Sequence, residues 1–305
     1  IYNTTILVFG GCQVGGFSIG DLVVRKSYGG DIYFKITDII GDESSASEEV
    51  ETKVILKGVN HRLIADAPES DLEKPALENI NVDTLEYSKN INKNIRKILT
   101  ERKGSYSRSK RQYRSDEVYG RPGKVLHIDA DEEYLNTCLK TYKQLNIDVV
   151  AKLMNENEQP IRVLELLNEV KPDILVLTGH DSMIKGQTDF TNINSYRSSK
   201  YFIEAVKQAR SYEPSLDDLV IFAGACQSYY EGIIEAGANF ASSPHRVLIH
   251  ALDPVFVCEK VAFTSINKVL SIQDTIANTI TGIKGIGGLE TRGKYREGFP
   301  KSPYI

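Results

Sequence analysis

The sequence lacks long apolar runs, and none of its hydrophobic stretches approaches the roughly 18 residues that a membrane-spanning helix requires. Its first residues also lack the basic n-region and the apolar h-region of a secretory signal. Four cysteines, Cys12, Cys138, Cys226 and Cys258, are scattered over 305 residues without a CxxC pair. This usage argues against a disulfide framework and predicts reduced thiols in a cytoplasmic protein without membrane association.

No set of side chains has the spacing of a metal site. His245 and His250 lie close together in the sequence, but no thiol or carboxylate accompanies them as a ligand set. We therefore expect neither a bound metal nor a cofactor. Lysine and arginine together number 37, against 41 aspartates and glutamates. The resulting net charge of -4 gives no general attraction to nucleic acid.

The first 75 residues divide into two segments. Residues 1–17 carry glycine pairs that imitate a phosphate loop but lack its Lys-Ser/Thr ending, and we expect an extension or a cloning-derived segment. Residues 18–75 contain short apolar runs, two of which flank the hairpin signal at residues 27–31. This texture predicts a small SH3-like β-barrel with a folding or docking role.

Residues 76–123 are polar and become strongly basic, which predicts an exposed linker. Three interpretations are open. Arginines interleaved with tyrosines are typical of a nucleic-acid-binding segment. The same arginines would be accessible to an Arg-directed protease. The segment is equally consistent with a solvated hinge. Its arginines include Arg102, Arg108, Arg111, Arg114 and Arg121.

From residue 124 to 289, apolar runs of strand length alternate with segments of helical spacing. This pattern predicts one doubly wound parallel α/β domain. Its strands are expected at 125–128, 148–151, 173–180, 219–225 and 246–252. Residues 182–195 form a polar loop of the length of a lid or specificity loop. Residues 290–305 are expected to form a basic tail.

Two of these strands end in reactive side chains. The third ends in Gly179-His180, and the fourth is followed directly by Cys226. Parallel strands place their carboxyl ends on one edge of a sheet, where sites form, so the two side chains are expected to meet. Gln227 and Ser228 are expected to begin a helix, whose N-terminal N–H groups would favour a thiolate at Cys226. An imidazole beside such a thiol is typical of cysteine-nucleophile catalysis.

A regulatory domain is the alternative. Asp129 and Asp131 after the first strand and Asp181 after the third resemble the acidic residues of a response-regulator receiver. In a receiver the third strand itself ends in the phosphoacceptor aspartate, where this chain has Thr178. The fifth strand should also end in lysine, and here it is followed by Asp253.

Four blocks resemble the YabG sporulation peptidases, in the caspase–gingipain–clostripain group of cysteine peptidases. The resemblance extends from about residue 18 to the end of the chain. The blocks are GDLVVRKSY at residues 20–28, TGHD at 178–181, GACQS at 224–228 and GANFASSP at 237–244.

This resemblance implies a caspase-like sheet with Cys226 as nucleophile and His180 as general acid and base. The backbone N–H groups of Asp181 and Cys226 would hold the oxyanion. Cleavage after arginine is also implied, which requires a carboxylate in the specificity pocket. The clostripain branch has an aspartate two residues before the nucleophile, where this chain has Gly224. Asp253 is therefore the first candidate and Asp181 the second.

The resemblance further implies a sporulation-specific endopeptidase that cleaves spore-coat and cortex-associated proteins. It would act in the cytoplasm of the mother cell or at the spore coat. Self-cleavage at Arg102, Arg108, Arg111, Arg114 or Arg121 is expected to separate the barrel from the catalytic domain. The competing hypothesis is a receiver-like regulator whose basic linker binds nucleic acid, although nucleic acid is not expected as a partner of the peptidase.

Overall fold

The chain folds into two compact units, Ile1–Glu86 and Tyr87–Ile305, in a computed structural model. The structure describes residues 16–40, 52–109, 118–302 and 304. Each unit is built around its own sheet. Among the described residues, no helix combines the length and apolar character needed to cross a bilayer.

The first unit is a five-stranded antiparallel sheet in the order β4-β3-β2-β1-β5. Its strands are β1 (Leu22–Arg25), β2 (Phe34–Ile40), β3 (Lys53–Gly58), β4 (Ile64–Pro68) and β5 (Leu72–Glu73). The predicted hairpin is present: β1 pairs with β2, and Gly29 and Gly30 turn the chain with φ of 70° and 73°. Glycine adopts this left-handed conformation without the steric cost that a side chain would add.

The second unit contains a six-stranded sheet in the order β13-β11-β10-β9-β7-β8. All neighbouring strands are parallel except β11 and β13. The α/β class predicted from the sequence is confirmed. The strands are β7 (Val125–Asp129), β8 (Val149–Leu153), β9 (Ile174–Thr178), β10 (Val220–Ala223), β11 (Phe240–Ser242) and β13 (Ile286–Gly288).

Two smaller antiparallel pairs complete the strands described in this unit. They are β6 (Tyr119–Arg121) with β15 (Arg296–Gly298), and β12 (Val269–Leu270) with β14 (Thr291–Arg292). The predicted basic tail is therefore wrong in part, because this segment is folded into the unit. Lys294 is buried there and donates to the Asp218 carbonyl at 2.8 Å, and burial lowers its pKa.

Helices cover both faces of the six-stranded sheet. They are α1 (Leu77–Ser109), α2 (Glu132–Gln144), α3 (Gln159–Val170), α4 (Ser199–Tyr212), α5 (Tyr230–Glu235), α6 (Asp253–Phe263) and α7 (Ile272–Ile276). Alternate residues of β9 enter two different cores: Ile174 and Val176 pack with α2 and α6, and Leu175 and Leu177 pack with α3 and α4. A strand buried on both faces is expected to be apolar throughout, as β9 is.

The linker prediction for residues 76–123 is wrong over much of its length, because residues 77–109 form α1. Ile95 and Ile98 of this helix are buried in the same core as α2 and α6. Arg102 is largely buried as well, and its Nε donates to Glu259 Oε1 at 2.8 Å. Its Nη1 donates to the Leu145 carbonyl at 2.7 Å. The second half of α1 is therefore part of the α/β unit.

The predicted fifth strand at residues 246–252 is also wrong. The strand that pairs with β10 in its place is β11, at Phe240–Ser242. Residues 246–249 are irregular. Residues 249–252 are buried in a loop that leads into α6, and Leu248 is partly buried beside them. This burial explains why the run at 246–252 resembles a strand in the sequence.

Replacing Arg102 by methionine should destabilise the α/β unit, because Glu259 would keep a buried carboxylate without its cation. Removing one partner of a buried ion pair costs about 3–5 kcal/mol. Urea unfolding followed by circular dichroism would measure the loss. The matched control is Arg162→Met, which removes the exposed Arg162–Glu165 pair of α3 and should leave the unfolding midpoint unchanged. Equal effects of the two substitutions would contradict the docking of α1.

Candidate active site

His180 and Cys226 lie at corresponding positions beyond two neighbouring parallel strands. In the register of β9 and β10, Leu177 is opposite Ala223, and each reactive residue follows three positions later. The Gly224 N–H donates to the Leu177 carbonyl at 3.0 Å, which extends the pairing beyond the last strand residue. This register places both residues just beyond the same edge of the sheet, and a meeting of their side chains stays a prediction.

Cys226 is completely buried, and its sulfur contacts the backbone of Ile249. The Ile249 N–H donates to Sγ at 3.2 Å, and Sγ is 3.8 Å from the Ile249 carbonyl oxygen. The predicted helix start at Gln227 is wrong, because α5 begins at Tyr230. The Ile249 N–H is therefore a backbone donor to this sulfur that the sequence did not predict.

The His180 ring is oriented by a carboxylate. Its Nε2 is 3.0 Å from Asp131 Oδ2, and its side chain is 18% exposed. Nδ1 is buried and has no hydrogen-bond partner within the described parts of the chain. An ionised Asp131 only accepts hydrogen bonds, so Nε2 carries the proton of the neutral ring. Nδ1 then keeps its lone pair, as a general base requires.

Asp131 holds two elements of the site together. Its Oδ1 accepts from the Tyr134 N–H at 3.0 Å, which caps α2, while Oδ2 faces His180. Its own N–H donates to Asp129 Oδ1 at 3.0 Å. The sequence drew attention to Asp131 only as a possible receiver residue. Its position directly before a helix, after the strand adjacent to β9, was the signal for a second role.

Glu156 contacts the backbone of His180. Its Oε1 accepts from the His180 N–H at 2.6 Å. A Cβ added at Gly179 would lie 2.4 Å from the same oxygen, so any other residue there would require the Glu156 side chain to move. Glu156 could not be recognised from the sequence, because its contact joins the loops after β8 and β9, which are far apart in the chain.

The Asp181 carboxylate is buried and ties three segments together. It accepts hydrogen bonds from the Ser182 and Ser198 N–H groups at 2.9 and 2.8 Å. It also accepts from the Ser199 and Ser228 hydroxyls at 2.5 and 3.0 Å. Burial raises the pKa of Asp181, and these hydrogen bonds oppose the rise. The Asp181 N–H has no acceptor among the residues that the structure describes, which is consistent with the predicted oxyanion role.

The Asp253 carboxylate is likewise buried, and both of its oxygens accept hydrogen bonds. At the start of α6 it accepts from the N–H groups of His250, Ile280 and Thr281 at 3.0, 2.7 and 3.2 Å. The Thr281 hydroxyl supplies a fourth hydrogen bond at 2.5 Å. Burial raises the pKa of Asp253 against the effect of these donors. The assignment of Asp253 and Asp181 to an arginine pocket stays a prediction, and in this structure both carboxylates are occupied by loop contacts.

Cys138, Cys258 and His127 lie in the interior of the α/β unit. Cys138 and Cys258 are buried in the core, and burial raises the pKa of the Cys258 thiol to about 12. His127 is also completely buried and contacts Tyr142 and Thr178. Within the described ranges, no cluster of three or more His, Cys, Asp or Glu side chains is arranged to hold a metal ion.

The proposed self-cleavage sites differ in their surroundings. Arg102 is docked in α1, and Arg108 lies near the end of that helix. Arg121 is exposed in β6. Arg111 and Arg114 lie outside the described residues, as does Cys12.

An α/β domain that delivers a thiol and an imidazole to one sheet edge has the side chains of a cysteine hydrolase. The family model described as YabG peptidase U57 matches residues 18–300. The sporulation-specific protease YabG of Bacillus subtilis (strain 168) is 42% identical over 290 residues, which cover 93% of this chain and 98% of the relative. The chain therefore belongs to the YabG peptidase U57 family, and the resemblance is confirmed. This membership makes the chain a peptidase and leaves the receiver interpretation without support.

Replacing Asp131 by asparagine should separate catalysis from folding. Asparagine has one oxygen for two donors, so keeping the α2 cap turns its NH₂ group toward His180 Nε2 and selects the wrong ring tautomer. Loss of a general base typically lowers kcat about 100-fold or more. Steady-state kinetics on a peptide substrate would measure this, with thermal unfolding as the control. An unchanged kcat in this variant would show that Asp131 does not contribute to catalysis.

Proposed function

We propose that the chain is a cysteine endopeptidase in which Cys226 is the nucleophile and His180 the general acid and base. Asp131 orients the His180 ring as a third, positioning residue. The observation that carries the proposal is the register of β9 and β10, which brings His180 and Cys226 to one edge. The contact between His180 Nε2 and Asp131, with Nδ1 unoccupied, supports the assignment of Nδ1 as the base.

The reaction follows from these roles. His180 Nδ1 takes the proton of the Cys226 thiol, and the sulfur attacks the carbonyl carbon of the scissile peptide bond. The Asp181 and Cys226 N–H groups stabilise the resulting oxyanion. The imidazolium then donates its proton to the leaving amine as the C–N bond breaks. Water, deprotonated by His180, hydrolyses the thioester, and the departing thiolate recovers a proton from the imidazolium.

The burial of Cys226 implies a conformational step. A sulfur with no exposed surface cannot meet a peptide carbonyl until the surrounding loops move. The groups around it are loops after β9 and before α6, which adjust more readily than a strand. Substrate binding therefore opens this edge in the proposed cycle, and the resting enzyme keeps its thiol away from solvent oxidants.

The finer fold assignments support the same function. The five-stranded order β4-β3-β2-β1-β5 is compatible with an SH3-like barrel, and we assign the first unit to that class. The parallel order β8-β7-β9-β10-β11 is compatible with a caspase-like sheet. In such sheets the reactive groups lie outside the carboxyl ends of the strands, where His180 and Cys226 are found.

The proposed biological role is proteolysis during sporulation, because the Bacillus subtilis relative is named a sporulation-specific protease. Its substrates would be spore-coat and cortex-associated proteins, cleaved after arginine. The mother-cell cytoplasm and the forming coat are the proposed places of action. Self-cleavage in the arginine-rich segment belongs to the same proposal, now limited to residues beyond the docked part of α1.

Replacing Cys226 by alanine should abolish cleavage of an arginine-containing peptide, because in the described part of the chain Cys226 is the thiol that follows β10 at this edge. Residual activity should be below about one thousandth of the parent's. All three thiols, Cys138, Cys226 and Cys258, are buried at rest. Alkylation under native conditions should still label Cys226 first, because the loops around it open more readily than the helices α2 and α6 that carry the other two. Retained peptide cleavage by the alanine variant would overturn the assignment. Salt-dependent binding to nucleic acid, without cleavage, would instead favour the regulatory function.

Self-cleavage should produce new N-termini at Ser109, Gln112, Ser115 or Pro122, after the arginines that follow the docked part of α1. Incubation of the purified protein and N-terminal sequencing of its fragments would identify them. The Cys226→Ala variant is the control and should stay intact. A fragment starting at Lys103 would require α1 to leave Glu259. The absence of any cut between residues 96 and 121 would refute self-processing.

A further inference from the structure

We propose that Arg246 is a positioning residue for substrate binding, fixing the loop that follows His180 beside the turn that follows Cys226. The inference rests on the proposed peptidase function. We define the flap as residues 182–197, between β9 and α4. Neither the family assignment nor the proposed chemistry gives Arg246 a role.

The flap is closed on itself at its base. The Ile184 N–H donates to the Ser195 carbonyl at 2.8 Å, and the Arg197 N–H donates to the Ser182 carbonyl at 3.1 Å. Tyr196 is buried and forms an isolated antiparallel β-bridge with Met183. The tip between these pairs is exposed and includes Lys185 and Phe190. The flap is therefore a unit that can be held or released as a whole.

The Arg246 guanidinium holds this unit from outside. Its Nε donates to the Tyr196 hydroxyl at 2.7 Å, and Nη2 donates to the Phe190 carbonyl at 3.3 Å. Nη2 also contacts the Glu231 carboxylate of α5. Nη1 donates to the carbonyls of Ser243 and Pro244 at 3.3 and 3.5 Å. One side chain thus joins the flap, α5 and the loop after β11.

Two aromatic rings complete the surroundings of the guanidinium. The Tyr196 and Tyr229 rings are stacked, with centroids 5.4 Å apart. The Arg246 Cζ lies 5.5 Å from the first centroid and 5.9 Å from the second. The Arg246 side chain is only 10% exposed. A planar cation with several donors fits such a slot, whereas an ammonium group cannot reach all of its acceptors.

The slot is connected to the nucleophile through Gln227, the residue that follows Cys226. The Gln227 N–H is 3.0 Å from Ser243 Oγ, and its side-chain Oε1 accepts from the Met183 N–H at 3.4 Å. Gln227, Ser243 and Arg246 have φ of 56°, 65° and 55°. Left-handed conformations at residues other than glycine cost energy and are maintained when surrounding contacts determine them, often at functional sites. Arg246 supplies several of those contacts.

The first test is proteolytic and independent of peptidase activity. In the Cys226→Ala background, Lys185 is the only lysine of the flap, so a lysine-specific protease reports flap release by cutting after it. Arg246→Ala should accelerate this cut about tenfold or more, because local opening controls such cleavage. Arg162→Ala, which removes an exposed Arg–Glu pair on α3, is the matched control and should leave the rate unchanged.

The second test is kinetic and uses the active enzyme. Arg246→Ala should raise KM about tenfold or more, with a smaller effect on kcat, because a released flap binds substrate less well. Millimolar methylguanidinium should restore binding by occupying the vacated slot, whereas methylammonium should not. Arg246→Lys should behave as the alanine variant does. Rescue by the guanidinium alone is a result that a general loss of folding cannot give.

The outcomes separate the two proposals. Unchanged cutting at Lys185, or a kinetic loss that methylguanidinium does not reverse, would overturn the role of Arg246. A mixed result is also informative. If Cys226→Ala retains peptidase activity, while Arg246→Ala still releases the flap and raises a KM that methylguanidinium restores, Arg246 positions the flap in a peptidase that uses a different nucleophile. In that case the inference stands and the Cys226 mechanism falls.

Discussion

The parallel pairing of β9 with β10 is the constraint on which the site depends. It fixes Leu177 opposite Ala223, so two loops leave one edge in the same direction. A shift of one residue in this register would turn alternate side chains from one core to the other, and both cores are tightly filled. The packing of the domain therefore sets the relative positions of His180 and Cys226, although neither side chain belongs to a strand.

Buried carboxylates then fix the loops beyond the strands. Asp131 joins the start of α2 to His180, Asp181 joins the His180 loop to Ser228, and Asp253 closes the segment that leads into α6. Each collects N–H or hydroxyl donors that would otherwise be unsatisfied in the interior. Removing water from a carboxylate is costly, and the hydrogen bonds offset that cost only when every loop is in place. Because of this coupling, the loops at this edge of the sheet are expected to open and close together. Such joint movement suits a site whose thiol is buried before substrate binds.

Features of this structure that depend on neighbouring residues in the chain can be predicted from the sequence, whereas contacts between distant residues cannot. The β9 and β10 runs are apolar because they are buried on both faces, so their ends, and hence His180 and Cys226, are visible in the sequence. The roles of Asp131 and Arg246 depend on residues far away in the chain, and no local pattern reveals such contacts. Helix α1 was missed because its apolar positions, such as Ile95 and Ile98, are few among charged neighbours. A polar helix that docks through Arg102 and Glu259 resembles a linker until the partner is known.

The docking of α1 also changes what self-cleavage can accomplish. A cut after Arg108, Arg111 or Arg114 falls beyond the residues that attach α1 to the α/β unit. Asn94 donates to the Asn278 carbonyl at 2.8 Å, and Arg102 remains paired with Glu259. Buried Ile95 and Ile98 add apolar contact that the cut does not touch. Separation of the first unit from the α/β unit, which the sequence predicts as the result of self-cleavage, therefore requires α1 to undock as a second step. Cleavage alone breaks only the covalent connection between α1 and β6. The fragment that contains α1 would then stay bound to the α/β unit through its non-covalent contacts.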